Sequence, residues 1–143
     1  MRNYALLVCL IGALTMSTAN AQNYAEGQIW SYKARPGEQN STLLINKVES
    51  DPKLGAIYHI SVFGVSVRSP RAPSGVIHEL PHFPVNKQTL EASCVKLVGQ
   101  SEPNASYLDG YAEWKRAFDQ GHAGVFTIPV SEIVSAVETA INK

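Results

Sequence analysis

The stretch from residue 27 to 67 constrains this chain most. It holds three runs of strand-forming residues joined by turns too short for a crossover. In the first run, GQIWSYKAR, Trp30, Tyr32 and Ala34 share one side of a period-two pattern. The run ends at Arg35-Pro36-Gly37-Glu38. There proline presets φ at the first central turn position and glycine supplies the positive φ of a type II turn at the second. In the second run, STLLINKVES, Leu43 and Ile45 face one way and Leu44 and Val48 the other. It stops at the turn cluster Asp51-Pro52-Lys53-Leu54-Gly55. In the third, AIYHISVFGVSV, Tyr58, Ile60 and Val62 share a face before Phe63, Val65 and Val67 take the other parity. Gly64 sits at that switch, where a β-bulge fits. The expectation is an antiparallel meander.

Residues 68–75, RSPRAPSG, form a loop that carries Arg68 and Arg71. A strand is expected at 75–80, leading into an irregular segment ordered by Pro81 and Pro84. The string His78-Glu79-Leu80-Pro81-His82 satisfies H-E-x-x-H. That pattern binds zinc only where a helix brings both histidines onto one face. Pro81 inside the string opposes a helix, and an extended chain would hold the two histidines ~13 Å apart. No metal or other cofactor is therefore expected.

Asn86 is a good N-cap, with Val85 and Leu90 at hydrophobic-staple spacing. A helix from 87 to about 98 would place Leu90, Cys94, Leu97 and Val98 on one face, stopped by Gly99. The competing reading is a strand at 93–99, since SCVKLVG also alternates; caps and spacing favour the helix. On that helix Cys94 is a small buried hydrophobe rather than a nucleophile.

Ser106 can cap the next helix, with Asp109 as its capping-box partner. Tyr107, Tyr111, Trp114 and Phe118 then form an aromatic stripe, and Gly121 ends the helix. Residues 125–128 read as a strand returning to the sheet. A last helix aligns Val130, Ile133, Val134, Val137 and Ile141. Strands followed by helices indicate an α+β domain. Its sheet would be an antiparallel meander of three to four strands plus one late strand, covered on one face by about three helices.

The opening MRNYALLVCLIGALTMSTANAQ has a positive n-region, an apolar run and an Ala19-Asn20-Ala21 cleavage site. It reads as a signal peptide over 1–21, followed by a single domain over 22–143. The apolar run is too short for a membrane span, and no later stretch reaches the ~20 residues a span requires. The mature protein would be exported, periplasmic or fully secreted. Without Arg2, 11 basic residues stand against 12 acidic ones. That near-neutral balance argues against nucleic-acid binding. Without Cys9, Cys94 has no intrachain disulfide partner.

The strings GQIWSYKARPGE, STLLINKVE and ELPHFPV resemble a family of small exported bacterial proteins, across nearly the whole mature chain. The resemblance implies a bacterial exported protein. It assigns no catalytic or ligand residue.

Export, one small domain and the lack of a coherent catalytic set point first to a non-enzymatic binding protein of the cell envelope. An inhibitor or immunity-type protein is one form of it. The alternatives are a small-ligand carrier with an aromatic-lined pocket and, third, a hydrolase. Arg35, Arg68 and Arg71 could anchor an anionic group, and Tyr107, Tyr111 and Trp114 could meet a ligand or partner. The catalytic set stays empty, because local spacing places no base beside a nucleophile.

Overall fold

The computed structural model describes residues 22–143. The expected signal peptide lies outside the described residues. The element order is β1 (Gln28–Tyr32), β2 (Thr42–Asp51), β3 (Gly55–Arg68), β4 (Val76–Asn86), α1 (Lys87–Ser93), β5 (Cys94–Gln100), α2 (Tyr107–Asp119) and α3 (Val130–Ile141). The strands form one antiparallel sheet in the order β4-β3-β2-β1-β5. This is the expected α+β class, with a four-strand meander and three helices; its fifth strand is β5 rather than the late strand expected at 125–128.

The turns form as their residues require. Glu38 N–H donates to the Arg35 carbonyl across a turn whose Gly37 has φ +85°. The Asp51 carboxylate accepts from the backbone N–H groups of Lys53 and Leu54, both at 2.8 Å. That closes the β2–β3 turn.

One face of the sheet carries the main core. Trp30, Tyr32, Leu43, Ile45, Tyr58, Ile60, Val62, Leu80, Phe83 and Val85 pack with Leu90 of α1 and with Val130, Ile133 and Val134 of α3. The parity switch in β3 is a bulge at Gly64, which has φ +77°. The β3–β4 register shifts across it, so Val62, Val65 and Val67 all reach the same core.

The structure corrects five expectations. The helices do not share one face: α1 and α3 cover the core face, while α2 lies on the opposite one, against His59 and His82. The helix that Asn86 caps stops at Ser93, and residues 94–100 form β5. Asn86 Oδ1 accepts from Thr89 N–H as expected. The Ser93 hydroxyl, however, turns back to the Thr89 carbonyl at 2.6 Å and accepts from Val130 N–H at 2.9 Å. These bonds finish the helix and pin it to α3, and the open edge of β1 supplies backbone partners for Cys94, Lys96, Leu97, Gly99 and Gln100. Gly99 is a strand residue, not a stop.

Segment Val76–Asn86 is a continuous strand through both prolines. It is an edge strand, where a missing N–H facing away from the sheet is tolerated. The returning segment near 125–128 makes one bridge, Phe126 to Val85, rather than a full strand. Finally, Ser106 makes no side-chain cap to α2. The preceding residue pair is served by Asn104, whose carbonyl accepts from Tyr107 N–H.

Candidate functional site

Two bulges decide which side chains meet beneath α2. In β2 the register shifts between Ile45 and Lys47, leaving Asn46 as the extra residue. Lys47 then pairs with His59, and Glu49 lies on the same side as His59. In β4 Leu80 opposes Val62 and Phe83 opposes Ile60, so Pro81 and His82 together face Ser61. That bulge absorbs the proline and sends His82 to the α2 face while Leu80 and Phe83 both stay in the core.

The result is a linked chain of polar groups. His59 is fully buried, and its Nε2 lies 2.7 Å from Glu49 Oε1. Its Nδ1 lies 2.9 Å from His82 Nε2, with the two rings stacked at an interplanar angle of 14°. Tyr111 O–H donates to Glu49 Oε2, and Tyr111 and Trp114 set their rings edge-on to His59 at 4.8 Å. A carboxylate only accepts, so His59 Nε2 carries a proton and its Nδ1 accepts from His82 Nε2–H. Burial lowers the His59 pKa. Burial, and then the neighbouring His59, hold His82 down to about 4. Both rings are therefore neutral near pH 7.

A second network lies alongside. Asn46 Nδ2 and Asn104 Nδ2 both donate to Ser61 Oγ, which donates to the Pro81 carbonyl. Asn104 also donates to Glu79 Oε1 at 2.6 Å, and its backbone N–H reaches Asn46 Oδ1. These bonds seat the start of α2 on a polar sheet face.

Five of the six predicted contact residues fall into two groups, and Arg71 stands apart. Tyr107, Tyr111 and Trp114 gather over the histidine pair. Arg35 and Arg68 converge on Glu138 near the end of α3. Arg35 makes two 2.8 Å bonds to Glu38, one to Glu138 and one to the Ser66 carbonyl. Glu138 accepts from Arg68 N–H, with the Arg68 guanidinium 3.9 Å away. The Arg35 guanidinium holds the buried Glu38 carboxyl below its usual range. Arg35 is thus a clip between the β1–β2 turn, β3 and α3. Arg71 stands exposed on the β3–β4 loop, beside Ile77 and Val137.

The H-E-x-x-H string lies in a strand, so its histidines part. His82 joins His59, while His78 Nδ1 meets the Val65 carbonyl at 2.8 Å. Cys94 is half-buried against the core, and burial pushes its thiol up to about 12. A thiol so far from ionisation is a poor nucleophile.

The feature that sequence reasoning missed is the outer edge of β5. Among the described residues β5 pairs only with β1. Its residues Gln100, Gly99, Leu97, Lys96 and Cys94 pair with Gln28, Ile29, Trp30, Ser31 and Tyr32 of β1; two register shifts leave Val98 and Val95 as unpaired bulge residues. Val95, Leu97 and Val98 are 56%, 42% and 51% exposed, three of the six most exposed large hydrophobic side chains among the described residues. Lys96 stands among them, and Lys33 is exposed nearby. A shallow groove of about 600 Å³ at the end of the strand is lined by Glu26, Gln100 and Glu102.

The chain matches no protein-family model, and no curated protein or solved structure is detectably similar to it.

Proposed function

We propose that this is an exported, non-enzymatic binding protein that takes up an extended segment of a partner protein along the open edge of β5. The observation that carries this reading is the cluster Val95, Leu97 and Val98 on a strand whose outer backbone groups have no partner among the described residues. Soluble domains protect such edges, and an apolar one favours strand addition. The charges select the partner. Lys96 calls for an acidic residue opposite it, and Glu102 at the strand end calls for a basic one beyond. The two bulges twist the edge, which disfavours indiscriminate pairing and favours a segment of matching twist.

The aromatic stripe supports this choice over a carrier, because its rings pack on His59 and His82 instead of lining an open pocket. The thiol pushed up to about 12 weighs against a cysteine hydrolase.

The test is native mass spectrometry on protein purified gently from its host, comparing wild type with a Leu97→Lys, Val98→Lys variant of unchanged thermal stability. A protein companion on the wild type and not on the variant is expected. A companion that survives both substitutions, or a wild type without one, contradicts the reading.

A further inference from the structure

We propose that the Glu49–His59–His82 chain makes α2 an acid-released cover, held on the sheet while the two histidines are neutral and let go when both are protonated.

The proton count of the hydrogen-bond chain gives the reason. His59 Nε2 faces the Glu49 carboxylate and must carry a proton. His59 Nδ1 and His82 Nε2 face each other at 2.9 Å, a gap that holds one proton. The neutral pair therefore satisfies three of its four nitrogens and leaves His82 Nδ1 as a free acceptor. One added proton fits there without breaking a bond. A second would set two N–H groups head to head at 2.9 Å and place two cations in one buried stack. The chain then has to open.

The surrounding charges do not absorb that second cation. From β2 the pair faces Glu49 and Lys47, and Lys47 lies over the Tyr111 ring at 5.7 Å. From α2 it faces Tyr107, Tyr111 and Lys115, the last paired with Asp119 at 2.6 Å. Lys47 and Lys115 both oppose protonation of His59. Glu49 alone favours it.

Opening the pair displaces α2 because nothing lies between them. A Cβ placed on Gly110 would stand 3.0 Å from His82 Cβ, so the α2 backbone already touches the histidine. Tyr111 and Trp114 rest on His59 itself. The core on the other face of the sheet shares none of these contacts, and α1 and α3 stay packed there. Release is thus local. The sheet face it uncovers is polar, lined by His59, Ser61 and Asn46.

Amide hydrogen exchange, read as protection factors at pH 7.5 and pH 4.5, tests this. Residues 107–119 are expected to lose at least tenfold of their protection in acid while β2 and β3 keep theirs. In His82→Gln the side-chain amide still donates to His59 Nδ1 yet takes up no second proton, so α2 should stay protected at pH 4.5. His59→Gln, whose amide can bridge Glu49 and His82, gives the same reading if His82→Gln fails to fold. Unchanged α2 protection in wild type, equal loss throughout the strands, or an undiminished acid response in the folded variant would overturn the proposal.

Discussion

At the scale of single residues, Arg35 shows how a side chain that looks like a ligand anchor can instead hold the molecule together. Glu38 is only 4% exposed, and Arg35 is its ionic partner. Arg35→Ala would leave that carboxylate with the Ser66 N–H as its remaining donor. Breaking a buried pair from one side destabilises strongly, and the Arg35 side chain, 16% exposed, moderates the loss. We expect about 2 kcal/mol in urea unfolding. The same pair gives a pH dependence. The folded Glu38 pKa lies below its unfolded value of 4.5, so its contribution is complete above pH 4.5 and is lost as pH falls through the folded pKa. The histidines act earlier. Their folded pKa values lie below 6.5, so the neutral pair stabilises fully above pH 6.5 and loses ground from there down to about 4. Acid unfolding should therefore show a first loss between pH 6.5 and 4 that His82→Gln diminishes, and a further one below 4.5 that Arg35→Ala diminishes. Cys94 offers a third check. With its thiol raised from 9.0 to about 12, native protein should react with a maleimide more than about a hundredfold more slowly than unfolded protein.

At the scale of elements, the bulges carry the information that strand periodicity leaves out. The switch at Gly64 was legible because a glycine marks it and Val65 and Val67 repeat beyond it. Gly64→Ala would force a side chain to φ +77° and bring Cβ to 3.2 Å from Ser41 Cα. A loss of about 1–3 kcal/mol is expected in thermal unfolding. The bulges at Asn46 and at Pro81–His82 were not legible. Neither carries a glycine, and both exist because the neighbouring strands must keep Ile45, Val48, Leu80 and Phe83 in the core. Without them, simple alternation would not put Glu49 and His82 with His59. The boundary between α1 and β5 escaped for a related reason. Leu90, Cys94, Leu97 and Val98 fit a helical stripe, and only the Ser93 hydroxyl and the free edge of β1 decide for a strand. Asn86→Ala should cost about 1 kcal/mol of stability, since the cap bond to Thr89 is made.

At the scale of the whole molecule, the two faces of the sheet differ in kind. One is a continuous apolar core closed by α1 and α3. The other is a polar surface covered by one aromatic helix. The α+β class and its meander were legible from turn chemistry and from runs of strand formers. The division of helices between the faces was not, because an amphipathic stripe states that a helix is covered without saying by which surface. The open edge of β5 was hidden behind the same helix-or-strand ambiguity at residues 94–98. The proposed binding role rests on β5, where Lys96 stands between apolar neighbours.

The most direct test of that place is site-specific photo-crosslinking in the host, with the photoreactive residue at Val95 or Val98 and, as a control, at exposed Ala136 on α3. The account predicts one discrete crosslinked partner from both β5 positions, with none from Ala136. Crosslinking at Ala136 equal to that at β5, or none at β5, would contradict it.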